Sequence, residues 1–243
     1  MEQVIIFLII YIFTYVLWVT VWVTYFSLKT KKESKLTTLL QKEEYPRFSK
    51  TTSISILFIG DSIVRGVGAR SQETTLGRQI KQHYRTDSFT LQGKDAIGIS
   101  ECSRILKEDT NKYNLIIIFC GGMDIVTMRS FTHIKRCLTD LFKEAKHRAE
   151  KLVYITPPNV GNSPIFPFPL SYIYKKRSQK FQAIAKEISS THSVTFISLY
   201  QDEKDEELLS EGGLYATDKT HPNDKGYKLW FSKLIEPHLP SLK

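Results

Sequence analysis

Ile54-Ser55-Ile56-Leu57-Phe58-Ile59-Gly60-Asp61-Ser62 is an apolar, β-branched run closed by a glycine and two polar residues. It reads as a strand. Gly60 permits a tight turn at its end, and Ser62 falls where the next helix begins. A second run, Leu115-Ile116-Ile117-Ile118-Phe119, is continuous and β-rich, as in a strand buried on both faces. Residues 152–155 and 194–197 give two more strands, and 89–91 a weaker one. Helical patterns lie between them, at 74–84, 102–109, 131–149 and 172–190, with a last helix at 223–234. Strands alternating with helices predict an α/β fold of three layers, α/β/α, around a mostly parallel five-stranded sheet. Ligand sites in such sheets lie outside the carboxyl ends of the strands. Ser62 follows the first strand at that edge, and Gly121-Gly122 follows the third.

The start of the chain is of another kind. Residues 4–28 are 25 consecutive positions without Asp, Glu, Lys, Arg or His. About 20 apolar residues cross a bilayer core, so the segment predicts a transmembrane helix. Trp18, Trp22 and Tyr25 fall in its C-terminal half, where aromatic rings favour the interface. A cleavable signal peptide fits less well: Met1-Glu2-Gln3 has no basic side chain, the apolar stretch is long, and no small-residue cleavage pattern follows. Lys29, Lys31, Lys32 and Lys35 come next and, by the positive-inside rule, put the following domain in the cytoplasm, with the periplasm as the alternative. Residues 29–50 read as a polar tether and 51–243 as the globular domain, with no internal repeat.

Cys102, Cys120 and Cys137 are an odd, scattered set without disulfide or metal spacing, and read as reduced, mostly buried thiols. The net charge of +9 lacks any accompanying nucleic-acid motif. It suits a domain resting on anionic headgroups, each nearby Lys or Arg adding about 1 kcal/mol. The partners expected are therefore a membrane and a substrate, not nucleic acid. The acidic stretch 202–211 reads as a solvated face, lacking the spacing of a calcium loop.

Near the C-terminus stands Asp218-Lys219-Thr220-His221-Pro222. A three-residue spacing in a turn lets both ionisable side chains reach one pocket, and Pro222 can open a helix. Ser62, His221 and Asp218 together are the residue types that activate a hydroxyl to attack an ester. His221 would take the Ser62 proton and return it to the leaving group, and Asp218 would orient the ring. The competing reading leaves Asp61 or Ser62 as a helix cap and His221 as one of six histidines in a surface loop. An oxyanion needs preorganised donors, and the N–H groups of Ser62 and Gly98 are candidates. Asp61 and Gly122 border the same rim. Five of the nine prolines fall in 157–170, with Ile165, Phe166, Phe168 and Leu170 among them. Phe166 and Phe168 are candidates for an apolar substrate wall, or they pack beneath a long loop.

These motifs resemble the SGNH, or GDSL, hydrolase superfamily. Gly60-Asp61-Ser62 matches its nucleophile block, Gly98 its oxyanion glycine, Gly121-Gly122-Met123-Asp124 its third block, and Asp218 with His221 its last. The resemblance covers about 53–234, in the family's order, and residues 158–170 look like a loop of a bacterial, membrane-anchored subgroup. It implies a flavodoxin-like fold behind a single-pass anchor in a bacterial inner membrane. It also implies a serine esterase working through an acyl-enzyme on a lipid or acylated glycan, with no cofactor and no metal. An acyltransferase on the same triad, or a non-catalytic member keeping the fold, is the alternative. One departure stands out. The family's third block carries Asn where this chain has Met123, and a thioether donates no hydrogen bond.

Overall fold

The computed structural model describes residues 2–40, 53–201 and 213–242. The acidic stretch 202–211 therefore lies outside the described residues, as does 41–50 of the tether.

The first element is a single helix, α1 (Glu2–Leu40), of 39 residues. At 1.5 Å per residue it is about 58 Å long. Its residues Gln3–Leu39 are long and apolar enough to cross a membrane. The first part of the segment read as a tether, 29–40, continues this helix.

The sheet has five parallel strands: β1 (Ile56–Gly60), β2 (Phe89–Gly93), β3 (Tyr113–Phe119), β4 (Ala149–Thr156) and β5 (Thr195–Ser198). They are ordered β2-β1-β3-β4-β5, and Ile56 registers with Phe89 on one side and Leu115 on the other. β1 and β3 are central, which explains their unbroken apolar sequences, since alternate side chains serve opposite faces. On one face, Leu57, Ile59, Ile116 and Ile118 pack under α4 (Ile99–Glu108), α6 (Phe131–Lys146) and α7 (Leu170–Thr191). On the other, Ile56, Phe58, Leu115 and Ile117 meet α3 (Leu76–Tyr84) and α8 (Asp224–Leu229), which runs on through a wide π-type turn to Ile235. Fully burying each such side chain contributes about 1.5–3 kcal/mol, and these eight residues seat both helical layers on the sheet.

All five predicted strands and the helices between them are present. α4 begins earlier than its sequence pattern, at Ile99 rather than Cys102, because Gly98 takes the N-cap position. The cysteines Cys102, Cys120 and Cys137 are buried and free. Two short helices complete the rim, α2 (Ser62–Arg65) after β1 and α5 (Gly122–Val126) after β3. A flavodoxin-like strand order reverses direction between β1 and β3, and the crevice there is where such folds take ligands.

Candidate functional site

Gly60 ends β1 with φ +155°, and a Cβ there would come within 1.8 Å of the Phe119 carbonyl oxygen. Only glycine lets the chain turn this tightly against β3. The Asp61 N–H then donates to Phe119 O at 3.2 Å, tying the ends of the two central strands together. Asp61 caps α2, its Oδ1 accepting from Ile63 N at 2.9 Å. Ser62 is thereby the first residue of α2, where N–H groups have no intrahelical acceptor.

The loop bearing Asp218 and His221 reaches this point from the far end of the chain. It is a tight excursion held at its base, with Ala216 N donating to His221 O at 2.8 Å and Asn223 N to Leu214 O at 2.9 Å. Gly68 makes room for it: a Cβ there would meet Pro222 O at 2.4 Å and His221 Cβ at 3.0 Å. The loop then feeds α8, which Asn223 caps.

The three side chains form one continuous relay. Ser62 Oγ lies 2.8 Å from His221 Nε2, and His221 Nδ1 lies 2.5 Å from Asp218 Oδ2. A carboxylate only accepts, so Nδ1 carries the proton and Nε2 faces the serine as an acceptor. Asp218 Oδ1 takes two backbone donors, Thr220 N and His221 N, each at 3.0 Å. Asp218 is fully buried and His221 nearly so, while Ser62 is part-exposed. Burial pushes the Asp218 carboxyl up, but the hydrogen bond and charge of His221, with the two N–H groups, outweigh it and hold it below the ordinary carboxylate range. This arrangement can deprotonate a hydroxyl at Ser62 and stabilise the imidazolium that results.

Around the relay the rim residues separate by role. Gly98 caps α4, and a Cβ there would press on Asp124 Oδ2 at 2.8 Å. That same oxygen accepts from Ile99 N at 2.9 Å. Asp124 is thus a buried brace under the Gly98 turn. Burial raises its carboxyl pKa against the pull of the Ile99 N–H. Gly122 opens α5, where a Cβ would stand 4.0 Å from Asp61 Oδ2. Met123, at the position where a side-chain amide would donate, is part-buried on the same short helix. Asp61 itself is buried, and burial raises its pKa from 3.8 to about 7, with Ile63 N and His221 opposing the shift.

Phe166 and Phe168 take different surroundings from each other. Phe166 packs on Tyr174 with ring centroids 4.5 Å apart and leans on the core beneath α7. Phe168 is 74% exposed, and its carbonyl accepts from Tyr15 of α1. The loop between β4 and α7 meets the relay differently, through Ser163 Oγ donating to Lys219 O at 2.8 Å. A pocket lined by Asn159, Leu214, Tyr215, Pro222 and Trp230 opens behind the loop bearing Asp218 and His221, and its lining does not include Ser62.

Two residues were not reached from sequence. Asn159, after β4, is buried with its Nδ2 unpartnered among the described residues. Glu33, inside the supposed tether, is only 2% exposed. It pairs with the two terminal nitrogens of Arg70, the Nη2–Oε1 contact at 2.8 Å, and accepts from the Thr217 hydroxyl, one residue before Asp218. Ser34 and Thr38, on the same helix, meet Asp95 and Arg65. The signal available in sequence was one acid among four lysines at helical spacing from Phe26 and Thr37, a pattern more often read as a solvated face.

Among known proteins, the model of the GDSL-like lipase/acylhydrolase family matches residues 58–229. No curated protein matches the chain. Among solved structures, a lipolytic G-D-S-L family protein of Veillonella parvula superposes with a TM-score of 0.56 at 19% identity, covering 73% of this chain and 93% of its own. An alpha/beta hydrolase enzyme from the metagenome of Lake Arreo gives 0.57 at 15% identity, covering 74% and 92%. A variant of an acetyl xylan esterase of Geobacillus stearothermophilus gives 0.56 at 17% identity, covering 80% and 100%. At these identities the likeness is one of fold.

Proposed function

The chain belongs to the GDSL-like lipase/acylhydrolase family and is a carboxylic ester hydrolase, and from that premise we propose that Ser62 is its nucleophile, His221 its general base and acid, and Asp218 the group that orients His221. Ser62 Oγ attacks the ester carbonyl carbon as its proton passes to His221 Nε2. The carbonyl oxygen becomes an oxyanion facing the N–H groups of Ser62 and Gly98. Collapse breaks the bond to the alcohol, which leaves with the proton from His221. An acyl-enzyme on Ser62 remains. Water then attacks it, giving its proton to His221, and the acid is released as Ser62 recovers the proton. Asp218 stays ionised throughout, balancing the imidazolium.

The observation that carries this reading is the unbroken Ser62–His221–Asp218 hydrogen-bond chain around a buried, strongly bonded carboxylate. The substrate is an acyl ester of a lipid or glycan, and α1 anchors the enzyme in a bacterial inner membrane with the domain on the cytoplasmic side. The acetyl xylan esterase among the fold relatives acts, by its name, on an acylated glycan. Both substrate classes are therefore worth assaying. The decisive test is Ser62→Ala in the full chain. It should abolish hydrolysis of a short-chain p-nitrophenyl ester and labelling by a fluorophosphonate. Hydrolysis persisting at the wild-type rate would refute the assignment.

A further inference from the structure

The end of the β4–α7 loop and the first turn of α7 form twelve consecutive residues, 163–174, without a charged side chain or histidine, and Lys175-Lys176-Arg177 follow at once. Three large apolar side chains of this segment stand in the open: Phe168, Tyr172 and Ile173. In an ordinary soluble domain such a patch would be unpartnered. Here the three side chains stay exposed while the backbone beside them is bonded to α1. Trp22 Nε1 donates to Ile165 O at 3.0 Å, and the Tyr15 hydroxyl donates to Phe168 O.

α1 contacts the domain along one stripe. Tyr15, Val19, Trp22, Phe26, Glu33 and Thr37 are among the covered or partly covered positions, spaced by helical turns. Residues 3–14, by contrast, are exposed on every face. Those twelve residues rise only about 18 Å at 1.5 Å each, against a hydrocarbon core of about 30 Å. A helix spanning that core must therefore carry Tyr15 and Trp22 into the lipid as well. The loop bonded to both goes with them.

We propose that the 163–174 segment lies in the lipid leaflet beside α1, at the boundary of headgroups and acyl chains, and that the ester consumed at Ser62 is drawn from that leaflet. This rests on the anchored serine esterase described under Proposed function, and it selects a membrane lipid over an acylated glycan. The chemistry fits the depth. Pro164, Pro167 and Pro169 have no N–H to leave unpaired, and Phe166 N, Ser171 N and Ile173 N are bonded within the segment. Apolar side chains at this boundary sit about 5–10 Å into the membrane. Lys176 and Lys180, exposed on the following turns of α7, are in place for anionic headgroups. The loop is also joined to the relay, through Ser163 and Lys219 O, so a lipid entering beside it arrives at the catalytic loop.

The test uses the full chain in phosphatidylcholine–phosphatidylglycerol vesicles. Nitroxide labels are placed at Phe168→Cys, at Ile9→Cys on α1, and at Glu187→Cys on the exposed outer face of α7. Relaxation by oxygen against a water-soluble nickel chelate should report lipid at positions 168 and 9 and water at 187. Lipid at 9 with water at 168 overturns the immersed loop while leaving the anchor standing. Water at both removes the anchor, and the immersed loop with it. In a second arm, Tyr172→Asp with Ile173→Asp should lower turnover of a vesicle-embedded acyl ester by about tenfold or more, with hydrolysis of a soluble p-nitrophenyl ester unchanged. Equal loss on both substrates, or loss on neither, overturns the proposal. So does faster turnover of an acylated glycan than of the lipid ester, in which case the serine assignment still holds.

Discussion

Replacing Asp218 by asparagine perturbs the relay at one proton. The side chain keeps its size and its Oδ1, which accepts from Thr220 N and His221 N at 3.0 Å each. Those two donors fix which end of the new amide is oxygen. The NH2 end is then left facing His221 Nδ1, 2.5 Å away in the parent. Two donors cannot share that contact, so the ring must give up its Nδ1 proton and become an acceptor there. Its proton moves to Nε2, which faces Ser62 Oγ at 2.8 Å. The base then meets the serine with a proton already in place. Loss of the correct tautomer costs a serine triad about 10⁴-fold in kcat, equivalent to about 5 kcal/mol of barrier. The loop should stay folded, because both backbone bonds to Oδ1 survive. The assay is steady-state hydrolysis of a p-nitrophenyl ester by the full chain in detergent, with KM read separately. We expect kcat to fall with KM nearly unchanged. An asparagine variant keeping more than about a tenth of wild-type kcat would refute the tautomer argument.

Three further outcomes follow from the same geometry. Met123→Asn, which supplies a side-chain donor on the α5 rim, should raise kcat on a model ester by about tenfold or more, and unchanged turnover would mean the site does not lack that donor. Asp61 titrates near 7 in the folded chain against 3.8 unfolded, so its contribution to stability is fully present below about pH 4 and is lost as pH rises toward 7. Asp61→Asn keeps an oxygen to cap Ile63, and it should gain on the wild type in denaturant unfolding by up to about 4 kcal/mol between pH 4 and pH 8; a gap that does not change with pH would contradict a buried, protonated Asp61. Glu33→Ala removes the acceptor shared by Arg70 and Thr217. Because Arg70 is half-exposed, the loss should be about 1–2 kcal/mol, read as a melting point lower by about 2–8 °C together with reduced kcat. Wild-type behaviour in both would refute a role for α1 in holding the loop that bears Asp218 and His221.

Much of this protein was legible in one dimension. The central strands declare themselves because parallel strands under two helical layers bury both faces, and their sequences are apolar without interruption. Gly60-Asp61-Ser62 was legible because a glycine at a strand end is a local, steric requirement. Asp218 and His221 could be paired in sequence because a three-residue turn is also local. What sequence could not supply was contact across the chain. Phe166 and Phe168 are two residues apart and equally apolar, yet one packs on Tyr174 and the other stands exposed against α1. Glu33 looked like an acid in a solvated tether. It is buried because α1 continues unbroken and lays it against Arg70 and Thr217. Asp124 stands out in sequence only as a member of the third block, and its use in the fold is as an acceptor that braces the Gly98 turn.

The sequence by itself determined the α/β layering, the membrane-length helix and the three residue types of the relay, since each depends on periodicity, length or neighbours a few positions apart. The tertiary structure alone decided that Ser62 and His221, 159 residues apart, stand 2.8 Å from each other. It alone decided that the helix read as an anchor also packs, through Glu33, on the loop that bears Asp218 and His221, because burial and charge pairing depend on which surfaces meet.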